Sequence, residues 1–131
     1  MRMTGTFWAV ALAALLLASE STAQEARQPL SDPQMVRAWN ALRTVYCERC
    51  HGKDQEGLAA PSIVEYARTQ SREAFVRMVL DGDPPRGMPG YRGNALVDGN
   101  IEGIYRYFVA RADGSVDAAA RPERIIPKPV N

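Results

Sequence analysis

"VYCERCHGK", residues Val45 to Lys53, holds both cysteines and the only histidine of a 131-residue chain within five positions. Thiolate and imidazole are strong metal ligands, and the rest of the chain keeps none in reserve. A thioredoxin-like dithiol asks for a βαβ setting, and a structural zinc site usually asks for four Cys or His ligands. Neither condition is met, since no alternating strand pattern of useful length surrounds the motif.

Cys47-Glu48-Arg49-Cys50-His51 instead fits the C-x-x-C-H pattern of covalent haem c attachment. Two intervening residues at a helix end let both sulfurs face one way and add to the vinyl groups of one porphyrin, while the adjacent imidazole comes under the iron. The thiols are then consumed as thioethers, so an exported chain needs no disulfide. His51 is expected to bind through Nε2, and its Nδ1–H needs an acceptor that fixes the ring; a backbone carbonyl near Pro61 is the candidate. Without a second histidine, the sixth ligand is methionine, lysine, an amine, water or nothing. Met88 is the choice among these, because Gly87 lets the backbone approach a flat ligand and Pro89 limits the loop's freedom. Met35 and Met78 read as packing residues on helical faces. A thioether favours ferrous iron, raises the reduction potential and fills the position where oxygen would bind. Arg86 and Arg92 flank the methionine loop as candidate partners of the haem propionates, and Tyr91 could add a hydroxyl there.

The bulk composition, 46% hydrophobic and 24% charged, is that of one ordinary globular domain. The first 23 residues read differently. Arg2, the apolar run Phe7 to Ala18 and the small residues Ser21-Thr22-Ala23 form the pattern of a secretory signal peptide. The run of about a dozen residues is short of the roughly 20 that span a bilayer, so the mature form, 24–131, is expected to be periplasmic and to have no membrane span. Removing Arg2 and Glu20 with that leader leaves 15 basic and 14 acidic residues, the same +1 balance. Fourteen of the 16 basic residues are arginines scattered among acids, which excludes a phosphate-tracking face and nucleic acid as a partner.

Helical spacing organises the rest. Asp32 and Pro33 suit a helix start, and Met35, Trp39, Leu42 and Tyr46 form one apolar stripe running into the cysteine motif. After a glycine-rich loop, a short helix is expected within Pro61–Ala67. A second, capped by Ser71, is expected over Arg72–Leu80, stopping at Asp81-Gly82. The segment Asp83–Gly90, with three prolines, cannot continue a helix. Val97, Ile101, Ile104, Tyr105 and Phe108 then mark a final amphipathic helix ending near Asp113-Gly114. From about 114 to 131 the proline-punctuated chain reads as an extended tail, with Ile125 and Ile126 hinting that part of it docks. Trp39, Tyr46, Phe75, Tyr105 and Phe108 are the expected aromatic packing residues, and without its porphyrin the chain is expected to be largely unfolded.

Taken together, the helix ending in Cys47–Gly52, the downstream Pro61, the "GMPG" loop at 87–90 and the closing helix resemble the class I c-type cytochromes. The resemblance implies an all-α cytochrome c fold of three to four helices around one covalent haem, with the first and last helices crossing. It also implies that Pro61 accepts from His51 Nδ1–H and that Met88 completes the iron. The lysine-rich ring of mitochondrial-type members is missing, because the only lysines are Lys53 and Lys128. The stretch "IYRYFVARADGSVDAAARPER", Ile104 to Arg124, is similar to small periplasmic cytochromes that accept electrons from PQQ-dependent alcohol dehydrogenases. The implied function is that of a monomeric one-electron carrier and not an enzyme, taking electrons from such a dehydrogenase and passing them to a terminal oxidase or another cytochrome. The competing expectations are a haem peroxidase or gas sensor with an open sixth position, and a fixed subunit of a larger redox complex.

Overall fold

The computed structural model describes residues 32–122. The leader at 1–23, the polar lead that follows it and the segment with Ile125 and Ile126 lie outside the described residues. Among the described residues there are five α-helices and no strand: α1 Pro33–Thr44, α2 Glu48–His51, α3 Ile63–Thr69, α4 Arg72–Asp81 and α5 Ile101–Ala112. Single 3-10 turns cover Pro84–Arg86 and Asp98–Asn100. The extra helix over the expected three to four is α2, a single turn that the stripe on α1 had absorbed.

Local chemistry sets the helix starts. The carboxylate of Asp32 accepts from the Gln34 N–H at 2.8 Å, and the hydroxyls of Ser62 and Ser71 accept from the N–H groups of Glu65 and Ala74. Each supplies an acceptor to a first-turn donor that has no carbonyl of its own, an arrangement worth about 1 kcal/mol per cap.

α5 is the central element, packed against α1, α3 and α4. Because neighbours cover it on more than one side, its buried set is wider than one stripe: Gly103, Ile104, Tyr107, Phe108, Ala110 and Arg111. The expected stripe therefore missed Tyr107, which is 2% exposed and edge-on to Phe108 at 5.3 Å. Phe75 of α4 sits in the middle of the aromatic cluster, 5.3 Å from Tyr105 and 6.0 Å from Phe108. Offset and tilted rings at these separations add to the burial of their area.

Two expectations are corrected. Tyr46 is not part of the core stripe: α1 stops at Thr44, and Tyr46 has φ +58° and is 57% exposed. Its backbone takes the left-handed position of a helix stop in which the Cys47 N–H donates to the Leu42 carbonyl at 3.2 Å. The chain also does not begin an extended tail at 114. The Val116 N–H donates to the Ala110 carbonyl at 2.9 Å, and the Val116 side chain is 2% exposed within the core.

α1 and α5 meet at Gly103, where a Cβ would stand 2.7 Å from the Gln34 carbonyl oxygen and 3.4 Å from the Ala38 Cβ. A backbone atom cannot rotate away, so any side chain there must push the helices apart. Around this crossing Arg106 of α5 binds Asp32 and Gln34, at 2.8 and 2.6 Å. On the other flank Arg72 pairs with Glu102. Both pairs are well exposed and are worth at most about 1 kcal/mol each. Gly103→Ala is expected to lower the free energy of unfolding by about 1–3 kcal/mol in denaturant titration, the usual cost of overpacking a close contact, while Arg106→Ala is expected to cost no more than about 1 kcal/mol.

Candidate functional site

The left-handed Tyr46 turns the chain sharply between α1 and α2, so that the motif's single helical turn leaves α1 at a new angle. A non-glycine residue in that region costs about 1–2 kcal/mol, a strain located directly before Cys47. The Tyr46 ring lies under the Arg49 guanidinium, 5.2 Å from ring centre to cation. Cys47 and Cys50 are free thiols, the first half-buried and the second exposed. Burial pushes the Cys47 thiol up to about 11, partly opposed by a backbone hydrogen bond and assisted by the nearby Cys50 and Glu48.

His51 is half-buried at the end of α2, with Nδ1 2.7 Å from the Pro61 carbonyl oxygen. The carbonyl can only accept, so Nδ1 carries the proton and Nε2 is left as the ring's lone-pair nitrogen. The loop that brings Pro61 there is bound to the motif by backbone bonds, from Gly57 N–H to the His51 carbonyl at 2.8 Å and from Ala60 N–H to the Cys50 carbonyl at 2.9 Å. Gly52 makes the entry possible: it has φ +84°, and a Cβ would stand 2.7 Å from the Gly57 carbonyl oxygen.

Met88 is half-buried in a loop closed on itself. Asp83 and Met88 exchange backbone hydrogen bonds of 2.9 and 3.1 Å, with the Pro84–Arg86 turn between them. After Met88 the chain runs back along α4, the Tyr91 and Arg92 N–H groups donating to the Val79 and Leu80 carbonyls. Gly82 and Gly90 face each other at the base with no room for a side chain; a Cβ on Gly82 would stand 2.5 Å from the Gly90 nitrogen.

Arg86 and Arg92 are exposed and engaged within the protein, Arg86 with Asp83 and Arg92 with Asp81, each at 2.5 Å. They bracket the base of the methionine loop. Tyr91, next along this loop, packs partly buried against the core, and burial more than the neighbouring cysteines raises its phenol above the ordinary value.

The residues present fit a covalent haem: two unbonded thiols on one turn, an imidazole whose Nδ1 is committed to a carbonyl, and a half-buried methionine on a loop closed by its own backbone bonds. Among the described residues no three His, Cys, Asp or Glu side chains are drawn together as ligands of one ion. None of the described helices is long and apolar enough to cross a membrane. Sequence reasoning overlooked Gln55 and Arg111, both buried. The signal for Arg111 was available, since it lies seven residues after Ile104 on the buried stripe of α5.

Comparison with known proteins identifies the family. Residues 34–108 match the family model described as cytochrome c oxidase, cbb3-type, subunit III. The chain is 33% identical over 109 residues to cytochrome c-555 of Methylococcus capsulatus, a match that spans 82% of this chain and 85% of that protein. No solved structure matches it. The chain belongs to the cytochrome c family as a monohaem class I c-type cytochrome, an electron carrier with covalently bound haem c and its iron.

Gly82 and Gly87 make the methionine loop testable apart from the iron. Gly82→Ala combines a left-handed backbone, φ +72°, with a backbone clash, and is expected to cost about 2–4 kcal/mol of stability. Gly87→Ala also meets a left-handed backbone, φ +88°, but nothing lies within 4 Å of its Cβ, so a loss of only about 1 kcal/mol is expected. Thermal unfolding of the two variants reads the difference.

Proposed function

We propose that this class I cytochrome is a periplasmic one-electron carrier that takes electrons from a PQQ-dependent dehydrogenase and passes them to a terminal oxidase or another cytochrome. In this reading Cys47 and Cys50 would hold the haem as thioethers, and His51 Nε2 and the Met88 sulfur would hold its iron. The observation that carries it is the 2.7 Å contact between His51 Nδ1 and the Pro61 carbonyl, which fixes the imidazole's tautomer and orientation at the end of the cysteine turn.

The bound haem supplies a reversible one-electron couple, and the chain's own residues set its conditions. Pro61 steadies the imidazole and raises its basicity, and a methionine opposite raises the potential. The backbone pairing of Asp83 with Met88 fixes the main chain that carries the thioether. Leu58, 76% exposed in the loop bound to the motif, offers an apolar contact beside the attachment site. Such a small patch suits brief docking in place of a lasting complex. The near balance of basic and acidic residues leaves little net charge to steer partners. The donor assignment draws on the similarity of Ile104–Arg124 to cytochromes served by quinoprotein dehydrogenases.

Four experiments test the reading. Mass spectrometry of protein from a maturation-competent host is expected to show one covalent haem. Replacing both cysteines, Cys47→Ala with Cys50→Ala, is expected to remove it and, with it, most of the helical circular dichroism. Met88→Ala is expected to abolish the weak near-infrared sulfur-to-iron band of the ferric protein, admit CO to the ferrous form and lower the potential by on the order of 0.1 V or more, within the ~0.8 V range that axial ligation commands. Rapid reduction of the wild-type protein by a PQQ-dependent alcohol dehydrogenase from the same periplasm is expected; no reduction by any such enzyme would remove the donor assignment.

A further inference from the structure

We propose that Arg111 is a positioning residue for the axial imidazole, holding the 52–62 loop so that the Pro61 carbonyl meets His51 Nδ1. The inference rests on the reading of His51 as the iron ligand and extends it to a residue on α5.

Arg111 occupies a place on the buried stripe of α5 where an apolar side chain would be the ordinary choice. Its side chain is 2% exposed. A buried guanidinium is costly unless its donors and charge are answered, and here the answers both come from one loop. Nη2 donates to the Asp54 backbone carbonyl at 2.9 Å and to Glu56 Oε1 at 3.2 Å. The Glu56 carboxylate is 65% exposed, so its share is screened by water. The carbonyl of Asp54 is therefore the firmer anchor.

From Asp54 the hold passes to His51 in a few bonds. The next residue, Gln55, is buried and has φ +56°, a left-handed backbone that persists only where its surroundings enforce it. Its carbonyl accepts from the Ile63 N–H at 2.9 Å and from the Ser62 hydroxyl at 3.4 Å. Ser62 follows Pro61 directly. Arg111 thus fixes Asp54 against α5, Gln55 fixes the start of α3, and the start of α3 fixes the carbonyl that His51 donates to. Hydrogen bonds to a ligating histidine's second nitrogen set both ring orientation and donor strength.

The test is exchange of the His51 ring proton with solvent, followed by NMR in the ferrous holoprotein beside the backbone amides of Ile104 and Phe108. The wild-type protein is measured first; absence of covalent haem, or of a slowly exchanging ring proton, would be a failure of the His51 reading itself. Given both, Arg111→Met is expected to speed ring-proton exchange by roughly tenfold or more relative to the two core amides, as loss of a buried hydrogen bond should. Arg111→Lys, which keeps the charge but not the fork, is expected to shift it in the same direction by less, and decides the matter alone if the Met variant does not fold. Glu56→Gln is expected to leave the ring proton unchanged. The proposal is overturned if ring-proton exchange is unaltered in the folded Arg111 variants or rises only in step with Ile104 and Phe108. An acceleration in Glu56→Gln equal to that in Arg111→Met would equally overturn the assignment of the hold to the Asp54 carbonyl.

Discussion

The close approach of α1 to α5 at Gly103 is the constraint from which the rest of the architecture follows. With no Cβ to separate them, the Gln34 carbonyl and the Gly103 backbone come into contact, and Ala38 fits beneath. α1 ends at Thr44, and the cysteine motif begins three residues later. Arg111 lies about two turns beyond Gly103 along α5. One helix delivers the thiols and the imidazole and the other fixes the loop behind them, so an error at the crossing would reach the site from both sides. The surrounding ion pairs are individually weak and supply little of the energy.

The groups with distinctive chemistry were legible in the sequence, and the groups that hold them mostly were not. Cys47, Cys50 and His51 announce themselves because only one chemistry explains that spacing in a chain with no other cysteine or histidine. The helix starts at Asp32 and Ser71 were legible for a similar reason, since a side-chain acceptor ahead of an apolar stripe has few uses. Tyr46 misled because helical spacing cannot reveal that a helix has stopped; its left-handed backbone is imposed by the turn into the motif, where glycine would be the ordinary choice. Tyr107 was overlooked because one stripe was sought on a helix covered on more than one side. Val116 was assigned to a tail because the turn that returns it to the core uses a backbone bond to Ala110, which composition does not encode.

Arg86 and Arg92 illustrate a different limit. Their place beside the methionine loop follows from sequence order, but their pairing with Asp83 and Asp81 does not, because a flexible arginine has several acids within reach. Both side chains tie down the ends of the loop that carries Met88.

The two proposed axial ligands are held by the same kind of contact on opposite sides. Behind His51 stands a carbonyl set by backbone bonds from Gln55, and behind Met88 stands a closed backbone pair with Asp83 seated on facing glycines. Neither hold depends on a long flexible side chain, except at the single point where Arg111 joins the loop to α5. Electron transfer asks that the iron's surroundings change little between oxidation states, and main-chain contacts with no free torsion are well suited to that demand. For the proposed pair of ligands, anchoring of both main chains limits how far either residue could shift when the charge on the iron changes.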